Sequence, residues 1–179
     1  MRIVRLMDEP AWDTFVPAIE TIFFATSNLR NFEDQHARDR HKERWLGRYL
    51  RVYINNFFVA ISADGVLAGY LAGCLDNPAL NPIFDDIGYY KLFAALCAPY
   101  PSHFHINLDA RYRNLGIGSA LITSFVAQAE NAESPGVHVV TDKGARNVHF
   151  YERNNFRVRS TVPWSGRMIV FMGRQSRAL

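Results

Sequence analysis

Apolar and polar positions alternate from the second residue: "MRIVRLM" reads as a strand, and "DEPAWDTFVPAIETIFFAT" as a helix with an acidic cap and an early proline suited to a first turn. Pro17 is expected to kink or divide that helix. Over residues 32–56, Trp45, Leu46, Tyr49 and Leu50 recur at helical spacing, predicting an amphipathic helix that exposes Arg38, Arg40, Lys42 and Arg44. "FFVAISADGVLAGYLAGCL" predicts two strands joined at Asp64-Gly65, a dipeptide able to take positive φ in a tight hairpin turn.

Residues 76–101 form a polar and aromatic excursion bracketed by Pro78, Pro82, Pro99 and Pro101, with a helix expected over 85–98. The strand "SHFHINL" then places His103, His105 and Asn107 on one face and Phe104, Ile106 and Leu108 on the other. A glycine-bearing loop leads into a helix over 117–132, and "GVHVVTD" is a β-branched strand, so strand, helix and strand suggest a right-handed parallel crossover. A short helix in "NVHFYERNNF" and two closing strands around "PWSG" complete the pattern. The expected fold class is mixed α/β: an antiparallel first half, one parallel βαβ unit, and a central sheet flanked by helices.

The 179 residues, 49% hydrophobic, suit one domain, taken as 1–179. Twenty Lys and Arg against 17 Asp and Glu give a net charge of +3, compatible with an anionic small ligand but not the balance of a dedicated nucleic-acid binder. Neither a signal peptide nor a membrane-spanning apolar run is visible, so a soluble cytoplasmic protein with no membrane partner is expected. The two cysteines, Cys74 and Cys97, read as free thiols.

The stretch "DARYRNLGIGSAL" carries the most chemical information. A dinucleotide fingerprint needs a third glycine where Leu121 stands, and a phosphate-binding P-loop needs a lysine that the segment lacks. What remains is a strand, a side-chain-poor loop and a helix start, an arrangement that turns N–H groups and a positive partial charge toward one spot. Such a spot suits a pyrophosphate.

Arg113-x-x-Gly116-x-Gly118 after a strand, with "FYERNNF" one strand later, resembles the two signature segments of the GNAT superfamily of N-acetyltransferases. The wider wording over 100–158 is also similar to the acetyltransferase-like C-terminal domain of O-GlcNAcases and its stand-alone bacterial relatives. The resemblance implies a GNAT-like acyl-CoA N-acyltransferase fold, with acetyl-coenzyme A as co-substrate. It implies backbone donors to the coenzyme from Arg113, Asn114, Leu115, Gly116, Ile117, Gly118 and Ser119, and a bulged strand aiming an N–H at the thioester from around Ile106, Asn107 and Leu108. Tyr151 holds the place of the family's helical tyrosine, which supports the departing thiolate.

Family members commonly place a carboxylate on the strand before the loop as base, whereas residues 102–108 contain none. His105 is the first choice there, with His103, Asp109 and Asp142 as alternatives. The family's asparagine, six residues before Phe150, is Gly144 here, its customary alanine is Asn147, and the glycine before the final phenylalanine is Asn155. His103, His105 and His138 also admit a zinc reading, but spacing fixes no further ligand and no metal is assigned. Phe150 and Tyr151 admit a pure packing role.

The expected activity is acetyl transfer from acetyl-coenzyme A to a primary amine by direct attack, the acceptor being a small molecule or a protein and the chain a monomer or homodimer. The alternative is a catalytically weak or inactive coenzyme-binding or protein-interaction module of the same fold. A further reading takes the basic helix over residues 36–51 as an RNA or protein docking surface.

Overall fold

Ile3 and Val4 start the first of seven strands in a computed structural model that describes residues 1–176: β1 (Arg2–Arg5) is followed by a 3-10 turn and then by α1 (Val16–Thr26). Pro17 does not divide this helix. It sits in the first turn, where its missing N–H is harmless, and the residues before it form a separate 3-10 turn entered through Ala11 at φ 53°.

The long basic helix is interrupted. α2 (Gln35–Lys42), whose Asp34 cap accepts from the Ala37 N–H, passes through a π-helical turn at Glu43–Gly47 into α3 (Arg48–Val52). Leu46 and Tyr49 are fully buried as their spacing predicts. β2 (Phe57–Ile61) and β3 (Leu67–Cys74) are buried throughout and pair antiparallel. Their turn takes positive φ at Gly65 alone (81°), with the Gly65 N–H donating to Ser62 O and the register shifting beside Ile61, so the hairpin is longer than a two-residue one.

The helix expected over 85–98 breaks at Phe93 into α4 (Tyr89–Leu92) and α5 (Ala94–Cys97). β4 (Ser102–Leu108), α6 (Ile117–Asn131) and β5 (Gly136–Asp142) follow, with β4 and β5 parallel at Ser102↔Val137 and His103↔His138. α7 (Asn147–Arg153), β6 (Arg157–Trp164) and β7 (Arg167–Gln175) close the chain. Ser165 and Gly166 both take positive φ (48° and 77°), a tight hairpin turn matched to strand twist. The strand order is β1-β2-β3-β4-β5-β7-β6, a seven-stranded mixed sheet.

Contacts group the chain into two compact units: Met1–Cys74 with His105–Phe125, and Leu75–Phe104 with the described residues from Val126 onward. In the first, α1 and α3 contact β3, and Phe57 stacks on Tyr70 at 5.3 Å. Gly73 admits the Phe125 ring, which a Cβ there would meet at 2.2 Å. In the second, Phe171 gathers Phe93, Tyr100 and His138, while Phe104 contacts Tyr151 and Phe156. Among the described residues no helix is long and apolar enough to cross a membrane.

Candidate active site

The loop that leaves β4 is shaped by its own backbone. Asp109 N–H donates to Ala68 O, and the Asp109 carboxylate accepts from the Arg111 N–H and pairs with its guanidinium at 2.7 Å, which closes a 3-10 turn at Ala110–Tyr112. The Arg111 guanidinium holds the Asp109 carboxyl below the usual carboxylate range. Arg113 donates from Nε and Nη2 to Leu108 O at 3.4 Å each, tying the loop back to the end of β4.

Asn114 (φ 62°) and Gly116 (φ 78°) then turn the chain through left-handed conformations into α6. Arg113 N–H is engaged by Ala110 O at 3.4 Å. The N–H groups of residues 114–119, by contrast, have no acceptor among the described residues, the first hydrogen bond of the helix being Ala120 N–H to Gly116 O. Asn114, Leu115, Gly116, Ile117, Gly118 and Ser119 therefore offer a run of backbone donors at the positive end of a 15-residue helix. No cationic side chain is needed to build that cradle.

The strand end that feeds the loop is held by close packing. A Cβ on Gly69 would meet Leu108 Cδ2 at 2.3 Å and Asn107 O at 2.7 Å, so only glycine lets β3 lie this close to the end of β4. Asn107 is fixed through its side chain: Nδ2 donates to the Tyr70 hydroxyl at 2.9 Å, and its Oδ1 accepts from Thr26 at 2.9 Å. That side-chain role was not legible in the sequence, which suggested only backbone chemistry for Ile106, Asn107 and Leu108.

His105 lies two residues earlier on the same face. Its ring meets the edges of Trp45 (5.1 Å, 83°) and Tyr49 (5.4 Å, 82°), and its Nε2 is buried with no hydrogen-bond partner among the described residues. Burial first, and the Arg48 guanidinium second, push its pKa down to about 4. The imidazole is neutral at pH 7. Trp45 itself rides on the π-helical turn, a rare backbone feature that recurs at functional sites.

In the second unit, Tyr151 packs against Phe150, Phe156 and Phe104 at 5.3, 5.8 and 6.2 Å, and its hydroxyl makes no hydrogen bond among the described residues. Burial raises its pKa above the ordinary phenol value, so it carries its proton at neutral pH. α7 ends as the sequence allows: Asn155 takes φ 67° in place of glycine, and Phe156 N–H reaches back to Tyr151 O. Asn147 accepts from Thr141 Oγ1 at 3.0 Å, and Gly144 takes φ 78° with open space where a Cβ would stand.

His103 and His138 serve the core of the second unit. Their rings stack at 5.5 Å, His103 lies on Phe84 and Tyr90, and His138 Nδ1 contacts Tyr100 O. Among the described residues no three His, Cys, Asp or Glu side chains group as metal ligands. Trp164 covers Gly88, where a Cβ would meet its ring at 2.8 Å, and meets Tyr89 edge-on.

A mixed sheet with a donor-lined loop between a strand and a helix makes a scaffold suited to holding an anionic group. Residues 17–156 match the Acetyltransferase (GNAT) family, and the chain belongs to it. No curated protein matches the sequence. Among solved structures, SsHAT is similar over 99% of this chain and 98% of its own, at 18% identity and TM-score 0.74. YncA, a putative acetyltransferase from Salmonella typhimurium solved with its cofactor acetyl-CoA, is similar over 100% of this chain and 95% of its own, at 14% identity and TM-score 0.64. Ribosomal-protein-alanine N-acetyltransferase from Brucella melitensis is similar over 98% of this chain and 99% of its own, at 18% identity and TM-score 0.62.

Proposed function

We propose that the protein transfers an acetyl group from acetyl-coenzyme A to a primary amine by direct attack. The observation that carries this reading is the run of unengaged N–H groups over residues 114–119 at the start of α6, within the family match. Six backbone donors without acceptors at one helix start suit a pyrophosphate, whose charge needs no side-chain partner there. The coenzyme, when bound, supplies the activated acetyl group as a thioester.

The chain's own residues then divide the work. The cradle of 114–119 binds and orients, and a backbone N–H of Ile106, Asn107 or Leu108 donates to the thioester oxygen as it gains negative charge. As the amine nitrogen bonds to the carbonyl carbon, its acidity rises steeply, and His105, neutral and with no hydrogen-bond partner at Nε2 among the described residues, accepts its proton. With a pKa of about 4, His105 does not deprotonate a free ammonium of pKa about 10.4 beforehand, so the reactive acceptor is the free amine. When the C–S bond breaks, Tyr151, which keeps its proton at neutral pH, would steady the departing thiolate by a hydrogen bond, and the proton taken up by His105 would pass to that sulfur or to solvent.

A protein or small-molecule acceptor is equally served by this chemistry. A protein lysine, an N-terminus, an amino sugar and a polyamine are the classes to include in an acceptor panel. Titration calorimetry with acetyl-coenzyme A tests the binding step, and absence of binding overturns the proposal. Acetylation across a panel of amines tests turnover. Binding without turnover would instead support a coenzyme-binding module of the same fold.

A further inference from the structure

The basic helix that the sequence brings forward is tied into the first unit on both sides of its π-helical turn. Lys42 pairs with Glu20 at 3.1 Å and His41 Nε2 meets Ser27 Oγ at 2.9 Å, which holds the end of α2 against α1. Beyond the turn, Tyr49 of α3 is fully buried, and Arg51 reaches back to pair with Glu43. Trp45 stands between these anchors, on the turn that the Arg48 N–H closes on Glu43 O, five residues earlier. Leu46, fully buried beside it, fixes the backbone of the turn to the core. What is left free to move is the Trp45 side chain.

The imidazole beside it is sealed only locally. His105 keeps partial exposure as a residue, yet its Nε2 is buried with no hydrogen-bond partner among the described residues. Two rings stand against it nearly at right angles, Trp45 at 5.1 Å and Tyr49 at 5.4 Å. Tyr49 has no exposed surface and cannot yield without opening a close-packed core. Trp45 is half-buried, and its indole N–H has no acceptor among the described residues, so the side chain can turn toward solvent without losing a hydrogen bond.

A base closed to donors cannot take a proton, so the observed arrangement is a resting one. The acetyl-transfer reading, on which this inference rests, requires the acceptor nitrogen to meet His105 Nε2. An orphaned ring nitrogen is stabilised when a donor arrives, and that gain offsets the displacement of a half-buried indole. We propose that the Trp45 side chain is the movable wall of the acceptor site: it closes over His105 Nε2 at rest and swings aside for the acceptor. The room it leaves then selects primary amines that are unbranched beside the nitrogen.

Two measurements on the full chain test this, one of them independent of turnover. In Trp45→Ala, an NMR titration is expected to show the His105 imidazole moving from about 4 toward the ordinary value of about 6.5, because water then reaches the ring while the Arg48 guanidinium still holds it below that value. In acetylation assays with the same variant, kcat/KM for the branched amine α-methylbenzylamine is expected to rise at least about tenfold relative to that for propylamine. Calorimetry should show unchanged affinity for acetyl-coenzyme A. Trp12→Phe, on the 3-10 turn before α1, is expected to change none of these. Should Trp45→Ala not fold, Trp45→Phe carries the test, with changes in the same direction and of smaller size. A His105 titration that stays at about 4, or an unchanged ratio between the two amines in a variant that acetylates both, overturns the inference and leaves the acetyl-transfer reading standing. Absence of acetyl-coenzyme A binding by the unaltered protein overturns that reading, and this inference with it.

Discussion

Trp45 stands edge-on to His105, their ring centroids 5.1 Å apart at 83°, and with Tyr49 it flanks an imidazole whose Nε2 is buried without a hydrogen-bond partner among the described residues. The pair joins a π-helical turn to the strand that carries the candidate base. Its cost is the desolvation of a ring nitrogen, on the order of 1–3 kcal/mol. That cost makes His105 the clearest source of pH dependence in the first unit.

Because its pKa is lowered from 6.5 to about 4 in the folded state, the unfolded chain binds the His105 proton first as pH falls. Stability from this group is fully present above pH 6.5 and is lost as pH falls toward 4, on the order of 3 kcal/mol in all. Denaturant titrations between those limits are expected to show that slope, and His105→Phe is expected to remove it. The same variant should be neutral or mildly stabilising at pH 7, since an apolar ring leaves no orphan nitrogen.

The rate should carry a matching signature. With His105 neutral throughout the range, kcat/KM is expected to rise with pH toward the pKa of the acceptor amine, with no inflection near 6.5. An inflection there that disappears in His105→Phe would show an imidazole of ordinary basicity and contradict the buried site.

Tyr151→Phe separates chemistry from packing. The ring contacts with Phe104, Phe150 and Phe156 survive the change, and the hydroxyl has no hydrogen bond to lose among the described residues. Thermal stability should move by less than about 0.5 kcal/mol, while kcat falls by about a hundredfold or more with KM little changed. Unchanged kcat would leave Tyr151 a packing residue.

Gly116→Ala probes the cradle. Nothing lies within 4 Å of a Cβ there, so the penalty comes from φ 78° alone. A loss of about 1–2 kcal/mol is expected if the loop keeps its shape, together with weaker acetyl-coenzyme A binding if the 114–119 N–H groups turn away. Melting curves and calorimetry distinguish the two effects.

Asn107→Leu should cost about 1–3 kcal/mol by stranding the Tyr70 hydroxyl, and Tyr70→Phe in that background should recover part of it. A double-mutant cycle measures the coupling. A purely additive result would mean that the amide does not anchor β4 through Tyr70.

Much of the fold was legible because its signals are local. The β-branched run of β5 and the helix after Gly116 depend on period and turn chemistry within a few residues of one another, and each of the two segments that carry the family resemblance is itself short and contiguous. The errors have local causes too. Pro17 was read as a break because a periodic stretch hides where a helix starts, and the uninterrupted helix after Phe32 missed the π-helical turn. The shared face of His103 and His105 followed from strand period, but nothing in that period separates a histidine stacked in a core from one set against Trp45.

By itself, then, the order of residues determined the fold class, the family and the loop that offers its backbone, because patterning and positive-φ positions act at short range. Tertiary structure decided which side chains acquire altered chemistry. His105 becomes a weak base and Tyr151 a retained acid only because distant segments bury them, and Asn107 becomes an anchor only because Tyr70 and Thr26 arrive from elsewhere in the chain. Desolvation depends on what surrounds a group, and those surroundings are set by long-range packing.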